Sequence, residues 1–163
     1  MSNSNKTRKL QKQKCSKSTN QTRSVKWSKG VEDTIKTKII ETFLEMLNTV
    51  KLYHWHTHSF AEHKASDEMY EKLNTHIDTF VETLLGKNGF RFDLSGKKKI
   101  YLNYKNILDF KKQFYSYREF LISMTDNLNA NTDSDLLNIR DEILGDINQF
   151  LYLLTLQGGN GGH

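Results

Sequence analysis

Apolar side chains recur every three or four residues through most of the chain after residue 30. The first series consists of Ile35, Ile39, Phe43, Met46, Leu47, Val50 and His54. Residues at this spacing share one face of an α-helix, so the pattern predicts a helix over residues 31–57 with His54 turned toward the seam. The sequence contains no proline, which suits long helices and disfavours a loop-rich β fold.

A second helix is predicted after a short break in this pattern. Ser59 is followed three residues later by Glu62, a spacing that caps the start of helices. We therefore predict that the helix begins near Phe60 and runs to Leu85, with Gly86 as its C-cap. The two helices would form a tight αα-hairpin with histidines at its corner.

The rest of the chain predicts a long connection and two more helices. Residues 87–105 have no helical period and could reach about 60 Å when extended. That is enough to cross a bundle of helices about 35–40 Å long, as a ferritin-type connection does. Amphipathic patterns follow over residues 106–129 and after an N-cap at residues 131–135. We predict an all-α, ferritin-like four-helix bundle over residues 31–157, in two hairpins, with a flexible tail at residues 158–163.

Charge is divided between the N-terminus and the rest of the chain. Residues 1–30 contain nine Lys and Arg and no acid; since the chain totals +5, residues 31–163 carry −4. The first segment has almost nothing to bury, so we expect a disordered basic arm. It is either a solubilising arm or a nucleic-acid-binding arm that contacts phosphates. The candidate phosphate contacts are Lys6, Arg8, Lys9, Lys12, Lys14, Lys17 and Arg23.

The composition also indicates which cellular compartment would suit the protein. The single cysteine, Cys15, excludes an intramolecular disulfide and fits a reducing compartment. No stretch approaches the roughly 20 apolar residues of a membrane helix, and the N-terminus has no apolar signal segment. We expect a soluble cytoplasmic protein without a membrane partner, located in the host cytoplasm or the virion if its source is viral. Lys97, Lys98 and Lys99 are predicted to be a solvated surface run.

Side chains suited to metal binding form a separate stripe on the second helix. Its members are His63, Asp67, Asp78 and Glu82. These positions fall within about 100° of one another on a helical wheel, beside the apolar seam. Aligned carboxylates repel unless a positive charge lies near them, and carboxylates with imidazoles suit iron, manganese or zinc. His54 stands with His63 at the corner, whereas Asp78 and Glu82 lie several turns away, so a second copy would have to bring the two halves together.

This pattern resembles the Dps-like mini-ferritins, DNA-binding proteins from starved cells. That family carries a His-Trp pair closing its first helix and then a His on its second helix. An acid follows four residues after that His, and an Asp-x-x-x-Glu pair comes fifteen and nineteen residues after it. The matching residues here are His54-Trp55, His63, Asp67, Asp78 and Glu82. The motif-level match covers residues 53–86.

The resemblance implies a function. In such proteins, histidines from one subunit and acids from its dimer mate bind ferrous iron, which peroxide or oxygen oxidises before storage in a hollow shell. The implied metal ligands are His54, His63, Asp67, Asp78 and Glu82. Also implied are iron or another divalent metal as the bound ion, a possible ferroxidase activity, a homo-oligomer of at least two subunits, and DNA binding by the arm. The corner is shorter than in the family and His56 replaces its usual Asn, so His56 or His58 could take the place of His54.

Two other hypotheses remain open. The chain is also similar to an uncharacterised ferritin-like family of large DNA viruses and phages, which has a related YHW…S(F/Y)AEHKA…D block and brings no established activity. A non-enzymatic helical bundle, viral structural or DNA-associated, with a decayed metal site and no cofactor is therefore the alternative. A third hypothesis is a mononuclear metal hydrolase-like bundle built on His54, His56 and His58.

Several residues outside this stripe are predicted to have structural roles. Tyr53 and Trp55 are expected to be packing residues, and His76 is expected to lie on the surface. Glu142 and Asp146 could serve as bundle carboxylates, but neither begins the Glu-x-x-His motif of larger di-iron ferritins. They are therefore not included in the predicted site.

Overall fold

A computed structural model describes residues 29–89, 91–99 and 101–156. The helices are Lys29–His56 (α1), Phe60–Asn88 (α2), Ile107–Ser123 (α3) and Ser134–Leu153 (α4), with a 3₁₀ turn at Met124–Asp126. No strand occurs within the described ranges. The prediction of an all-α four-helix bundle is therefore confirmed for this part of the chain. None of its helices is long and apolar enough to cross a membrane.

The helices enclose a single core of aliphatic and aromatic side chains. Its fully buried members include Phe43, Met46, Leu73, Phe80, Phe114, Leu121 and Ile143. Phe110 joins three helices: its ring stacks on Tyr53 with centroids 3.7 Å apart, contacts Phe114 at 4.8 Å and meets Phe150 edge-on at 6.0 Å. The apolar side chains that recur every three or four residues in the sequence thus pack into one shared core.

Contacts between helices define their directions. Lys72 donates to Gln149, whereas Lys87, farther along α2, donates to Asp135 near the start of α4. Because residue numbers rise along α2 as they fall along α4, these two helices are antiparallel.

The same reasoning places α3 beside α1. Thr49 lies 3.0 Å from the Tyr117 hydroxyl, whereas Tyr53, farther along α1, stacks on Phe110 near the start of α3. These helices are also antiparallel, so α3 runs in the same direction as α2. The described residues of the connection, 91–99 and 101–106, therefore lie between the end of α2 and the start of α3 at the opposite end of the bundle.

Two predicted helix ends differ from the structure, and a third lies where predicted but lacks its side-chain cap. α2 continues past Gly86 to Asn88, and the residue that adopts the left-handed conformation is Gly89, with φ of 58°. α3 ends at Ser123 rather than at residue 129, because polar side chains take over the backbone hydrogen bonds there. Asn127, for example, donates to the Ser123 carbonyl at 3.2 Å. The N-cap of α4 is Asp133, but its carboxylate accepts from the Asn129 amide instead of capping the helix.

Lys87 ties the end of α2 to the start of α4. Its Nζ lies 3.2 Å from Asp133 Oδ1 and 2.8 Å from Asp135 Oδ1. The hydrogen bond from Lys87 holds the pKa of Asp135 below its ordinary value. The part of the stability that depends on ionised Asp135 is therefore present above the unfolded-state pKa and is lost as pH falls through the folded-state pKa.

Replacing Lys87 by Met is expected to raise the pKa of Asp135 toward its ordinary value, because the hydrogen bond from Lys87 that mainly stabilises its carboxylate is removed. Side-chain NMR during an acid titration measures this directly. Lys64→Met, at an exposed position on the same helix, is the matched control and should leave Asp135 unchanged. An unchanged Asp135 titration in Lys87→Met would contradict the assignment.

Candidate metal centre at the helical corner

The corner between α1 and α2 is held by a small polar network. The Glu62 amide donates to Ser59 Oγ at 3.4 Å, as the predicted cap requires. The Glu62 carboxylate does not return to the Ser59 amide; it accepts from Tyr53 Oη at 2.7 Å and from Thr57 Oγ1 at 2.5 Å. The Ser59 amide donates to Thr57 instead, at 3.2 Å. Only half of the predicted capping box is formed, and Glu62 serves to tie α2 to the end of α1.

Tyr53 fixes this corner to the core. Its ring is buried against Phe110, and its hydroxyl is the donor to Glu62. Burial raises the pKa of Tyr53 well above its ordinary value, and the hydrogen bond to Glu62 raises it further. The hydroxyl therefore keeps its proton, and its bond to Glu62, throughout the neutral pH range. This result confirms Tyr53 as a packing residue and adds a hydrogen-bonding role.

His54 and His63 form a reciprocal pair across the corner. Their rings stack with centroids 3.9 Å apart. His54 Nδ1 lies 3.1 Å from the His63 carbonyl oxygen, and His63 Nδ1 lies 3.0 Å from the His54 carbonyl oxygen. A carbonyl oxygen only accepts, so both Nδ1 atoms carry hydrogen, which leaves each neutral ring with its lone pair on Nε2. Nε2 is then the atom available to a metal ion on both rings.

Asp67 lies on the Nε2 side of His54. Asp67 Oδ1 is 3.7 Å from His54 Nε2. Two lone pairs that face each other at this distance are unfavourable unless a proton or a cation lies between them. His54 is buried whereas His63 is exposed and Asp67 is half-buried. The arrangement is therefore a half-open set of donors that an incoming cation could reach from solvent.

The other two predicted ligands do not join this group. Asp78 and Glu82 are exposed on α2, about 22 and 28 Å along the helix from His63. Within residues 29–89, 91–99 and 101–156, no group of three or more His, Cys, Asp or Glu side chains is arranged to hold a metal ion. One copy of the chain thus places His54 beside His63 and beside Asp67 without forming a three-ligand metal site, and it leaves the two remaining acids apart.

The short corner does not displace His54. His54 reaches His63 directly, while His56 is half-buried and His58 is exposed. The hydrolase-like alternative built on His54, His56 and His58 gains no support, because those residues form no metal-holding group in the described part of the chain either.

His76 was expected to lie on the surface, and the structure corrects this prediction. Its side chain is 28% exposed and faces α4, with Nδ1 3.0 Å from Asp146 Oδ2 and Nε2 3.7 Å from Glu142 Oε2. Those two buried atoms, His76 Nδ1 and Asp146 Oδ2, are not aligned as a hydrogen bond. Because the carboxylates face opposite nitrogens of one ring, a single metal ion could not bind both sides. Sequence reasoning missed this contact because it spans two helices.

Trp55 was expected to pack inside, and it does not. Its side chain is 69% exposed, with Lys51 Nζ 5.9 Å from the ring centroid. Phe60, at the start of α2, is 78% exposed. Two large aromatic side chains therefore stand in solvent on either side of the histidine corner.

Two small grooves border α4. One lies between α2 and α4 and is lined in part by Met69, Lys72 and Asp146, with a volume of about 30 Å³. The other lies at the corner beside Glu62 and Leu154, with a volume of about 10 Å³. Neither has room for more than about one or two water molecules, far below the space an organic substrate requires.

The basic-arm prediction falls outside the described residues. This applies to Lys6, Arg8, Lys9, Lys12, Lys14, Lys17 and Arg23, and the predicted tail at residues 158–163 lies outside them as well.

Fold and site together define a four-helix bundle with a histidine corner between its first two helices. Residues 54–154 match the model of a family of unknown function, DUF5856. The match spans more than half of the chain, so the protein belongs to this family. The matched region begins at His54 and contains the corner, α2, the crossover, α3 and α4. No curated protein and no solved structure matches the chain.

Proposed function

We propose that this protein is a ferritin-like, iron-binding protein whose sites form between two copies of the chain. The observation that carries the proposal is the reciprocal histidine pair. His54 and His63 each donate Nδ1–H to the other's carbonyl oxygen. These hydrogen bonds orient both rings and leave both Nε2 atoms available. Metal-binding histidines are commonly oriented in this way, by a hydrogen bond to the nitrogen that does not bind the metal.

The stripe on α2 has a symmetry that suits a two-fold dimer. Its positions are mirrored about a point between Lys72 and Leu73: His63 mirrors Glu82, and Asp67 mirrors Asp78. Two antiparallel α2 helices crossing at that point would bring each pair together twice. A self-complementary contact of this kind is what a two-fold interface requires.

In this dimer each site would hold donors from both copies. His54, His63 and Asp67 come from one copy, and Asp78 and Glu82 come from the other. Three carboxylates and two imidazoles would neutralise and bind a divalent cation, and the acids that repel in the absence of a cation would be stabilised in its presence. The same symmetry places exposed Phe60 opposite Leu85 of the second copy, which would cover apolar surface near the site.

Ferrous iron is the ion we propose, with dioxygen or peroxide as the acceptor of the electron released on oxidation to ferric iron. The order of the bundle also supports a ferritin-like protein. α2 and α3 run in the same direction and are joined by a crossover along the bundle, the arrangement of ferritin-like folds.

Removing both distal acids, in Asp78→Asn/Glu82→Gln, is expected to weaken ferrous binding by more than about 100-fold, since changes to groups that merely orient ligands already cost about 10- to 100-fold. Anaerobic ferrous titration measures binding, and the rise of ferric absorbance on adding oxygen or peroxide measures oxidation. Glu119→Gln/Asp126→Asn removes two exposed carboxylates from other parts of the bundle and should bind like wild type.

Mixing two inactive variants tests whether the site is shared. Asp78→Asn/Glu82→Gln supplies only histidines, and His54→Ala/His63→Ala supplies only distal acids. After joint refolding, half of the dimers are mixed and each has one intact site, so about a quarter of the wild-type capacity should return. Binding that is unaffected by the acid substitutions, or no recovery in mixed dimers that native mass spectrometry shows to be present, would refute the shared site.

The charge division favours nucleic-acid binding as a second role. Residues 1–30 contain nine basic residues and no acid, whereas residues 31–163 carry −4. Of the two alternatives for this arm, we propose the one in which it contacts phosphates. Removing residues 1–28 should abolish most of the salt-dependent affinity for duplex DNA and leave iron binding unchanged. An unaltered DNA affinity would exclude this role and would leave the iron proposal standing.

A further inference from the structure

The connection between α2 and α3 forms a strap along the bundle, defined by its described residues 89, 91–99 and 101–106. It contains a turn in which Asp93 Oδ1 accepts from the Ser95 amide at 2.7 Å and Gly96 has φ of 73°. Lys97 then forms an ion pair with Glu41 on α1, and Tyr104 donates to Gln113 on α3 at 3.0 Å. These contacts attach the strap to the bundle and leave most of its other side chains in solvent.

Basic residues are concentrated in and beside this strap. Between residues 87 and 112 there are eight Lys and Arg and two acids, for a net charge of +6, so the rest of residues 31–163 carries −10. The basic residues are Lys87, Arg91, Lys97, Lys98, Lys99, Lys105, Lys111 and Lys112. The folded domain is therefore acidic outside residues 87–112, and the net positive charge of this segment is complementary to a polyanion.

Several of these charges are exposed and have no carboxylate partner. Lys87 and Lys97 are used in ion pairs within the bundle. Lys98, Lys105 and Lys112 are exposed, and none forms an ion pair with an acid in the described part of the chain. Their charges are free to act on a ligand in solvent.

Exposed aromatic side chains lie among the lysines. Tyr101 is 62% exposed and Phe92 is 37% exposed. Lys99 Nζ lies 5.7 Å from the centroid of the Tyr101 ring. The Lys99 ammonium therefore lies beside an aromatic ring and, among the described residues, not beside a carboxylate. Basic side chains interleaved with exposed aromatic rings are the combination by which proteins bind single strands: the cations follow the phosphates and the bases stack on the rings.

We propose that the strap is a binding surface for single-stranded nucleic acid, with Lys98, Lys99 and Lys105 against phosphates and Tyr101 and Phe92 against bases. This surface belongs to the folded domain and rests neither on the iron site nor on the N-terminal arm. An acidic protein surface would be complementary to the lysines, but it has no bases that could stack on the exposed rings of Tyr101 and Phe92.

The phosphate contacts are tested in the full-length protein with a labelled oligothymidylate over a range of salt concentrations. Lys98→Gln/Lys99→Gln is expected to lower the slope of log affinity against log salt by about 1.4, since each single-strand phosphate contact contributes about 0.7. Lys64→Gln, which removes an exposed charge on α2, is the control and should leave the slope unchanged. Equal slopes in wild type and the double variant would overturn the proposal.

The stacking contacts have a different signature. Tyr101→Ala is expected to weaken oligothymidylate binding at least about fivefold, without changing the salt slope or the affinity for duplex DNA. Ultraviolet cross-linking of the same oligonucleotide, followed by trypsin, should label peptide 100–105. Labelling confined to the arm, together with wild-type affinity in Tyr101→Ala, would overturn the proposal, as would strap variants that alter only self-association. Ferrous titration of each variant should match wild type, so the outcome is independent of the iron proposal.

Discussion

Replacing Phe110 by Ala is expected to lower the free energy of unfolding by about 3–5 kcal/mol, the usual cost of deleting a fully buried aromatic ring. Phe110 has no exposed surface and contacts Tyr53, Phe114 and Phe150. Its removal leaves a cavity where α1, α3 and α4 meet, and stiff helices cannot readily collapse into that space. Urea unfolding followed by circular dichroism measures the change.

The same helix provides the control. Leu108 lies two residues earlier and is 74% exposed, so Leu108→Ala should change the free energy of unfolding by no more than about 0.5 kcal/mol. Phe110→Leu retains part of the lost volume and should fall between the two, which keeps the comparison measurable if Phe110→Ala does not fold. A Phe110→Leu variant as stable as wild type would contradict the central position assigned to this ring.

Raising the pH above about 10 is expected to destabilise the protein by about 1.4 kcal/mol per pH unit for each of two buried tyrosines, Tyr53 and Tyr117. Burial is the main cause that raises the pKa of both, and the carboxylates of Glu62 and Glu45 raise it further. An unfolded chain loses tyrosine protons near pH 10, before the folded protein does. The contribution is therefore fully present below pH 10 and decreases as pH rises.

Urea unfolding at pH 9 and pH 11 tests this dependence by difference. Tyr53→Phe and Tyr117→Phe should each lose less stability than wild type over this interval, because each lacks one ionisable hydroxyl. Tyr152→Phe, at a position that is 61% exposed, should retain the wild-type dependence, and the effects of lysine titration are common to all four proteins. An identical loss in wild type and Tyr117→Phe would show that its ionisation is not suppressed by burial.

The proposed iron binding and the proposed nucleic-acid binding by the strap can be tested separately because their residues lie on different parts of the bundle. The histidine corner depends on α1 and α2, whereas the strap is attached through Glu41 and Gln113 on α1 and α3. A protein with both properties would bring a redox-active metal close to nucleic acid. One with only the strap would correspond to the non-enzymatic alternative.

Helix periodicity was the most informative feature of the sequence. Spacings such as Ile39, Phe43, Met46 and Val50 are local, and they predict both the helix and its buried face; all four residues are in the core. Helix ends were less predictable because the chain offers two glycines, Gly86 and Gly89, and only the backbone conformation shows which one is left-handed. The prediction for Trp55 was wrong because its spacing in the sequence cannot reveal that most of its side chain is exposed.

The candidate site was likewise predictable from the sequence only in part. Residue types and spacing on α2 determined which side chains share a stripe, since helical geometry alone relates His63 to Asp67, Asp78 and Glu82. Only the tertiary structure decided that His54 and His63 lock each other through their carbonyls, because hydrogen-bond direction depends on how the corner turns. The tertiary structure was also needed to show that His76 contacts α4. The hydrophobic periodicity of one helix does not indicate which distant helix packs against it.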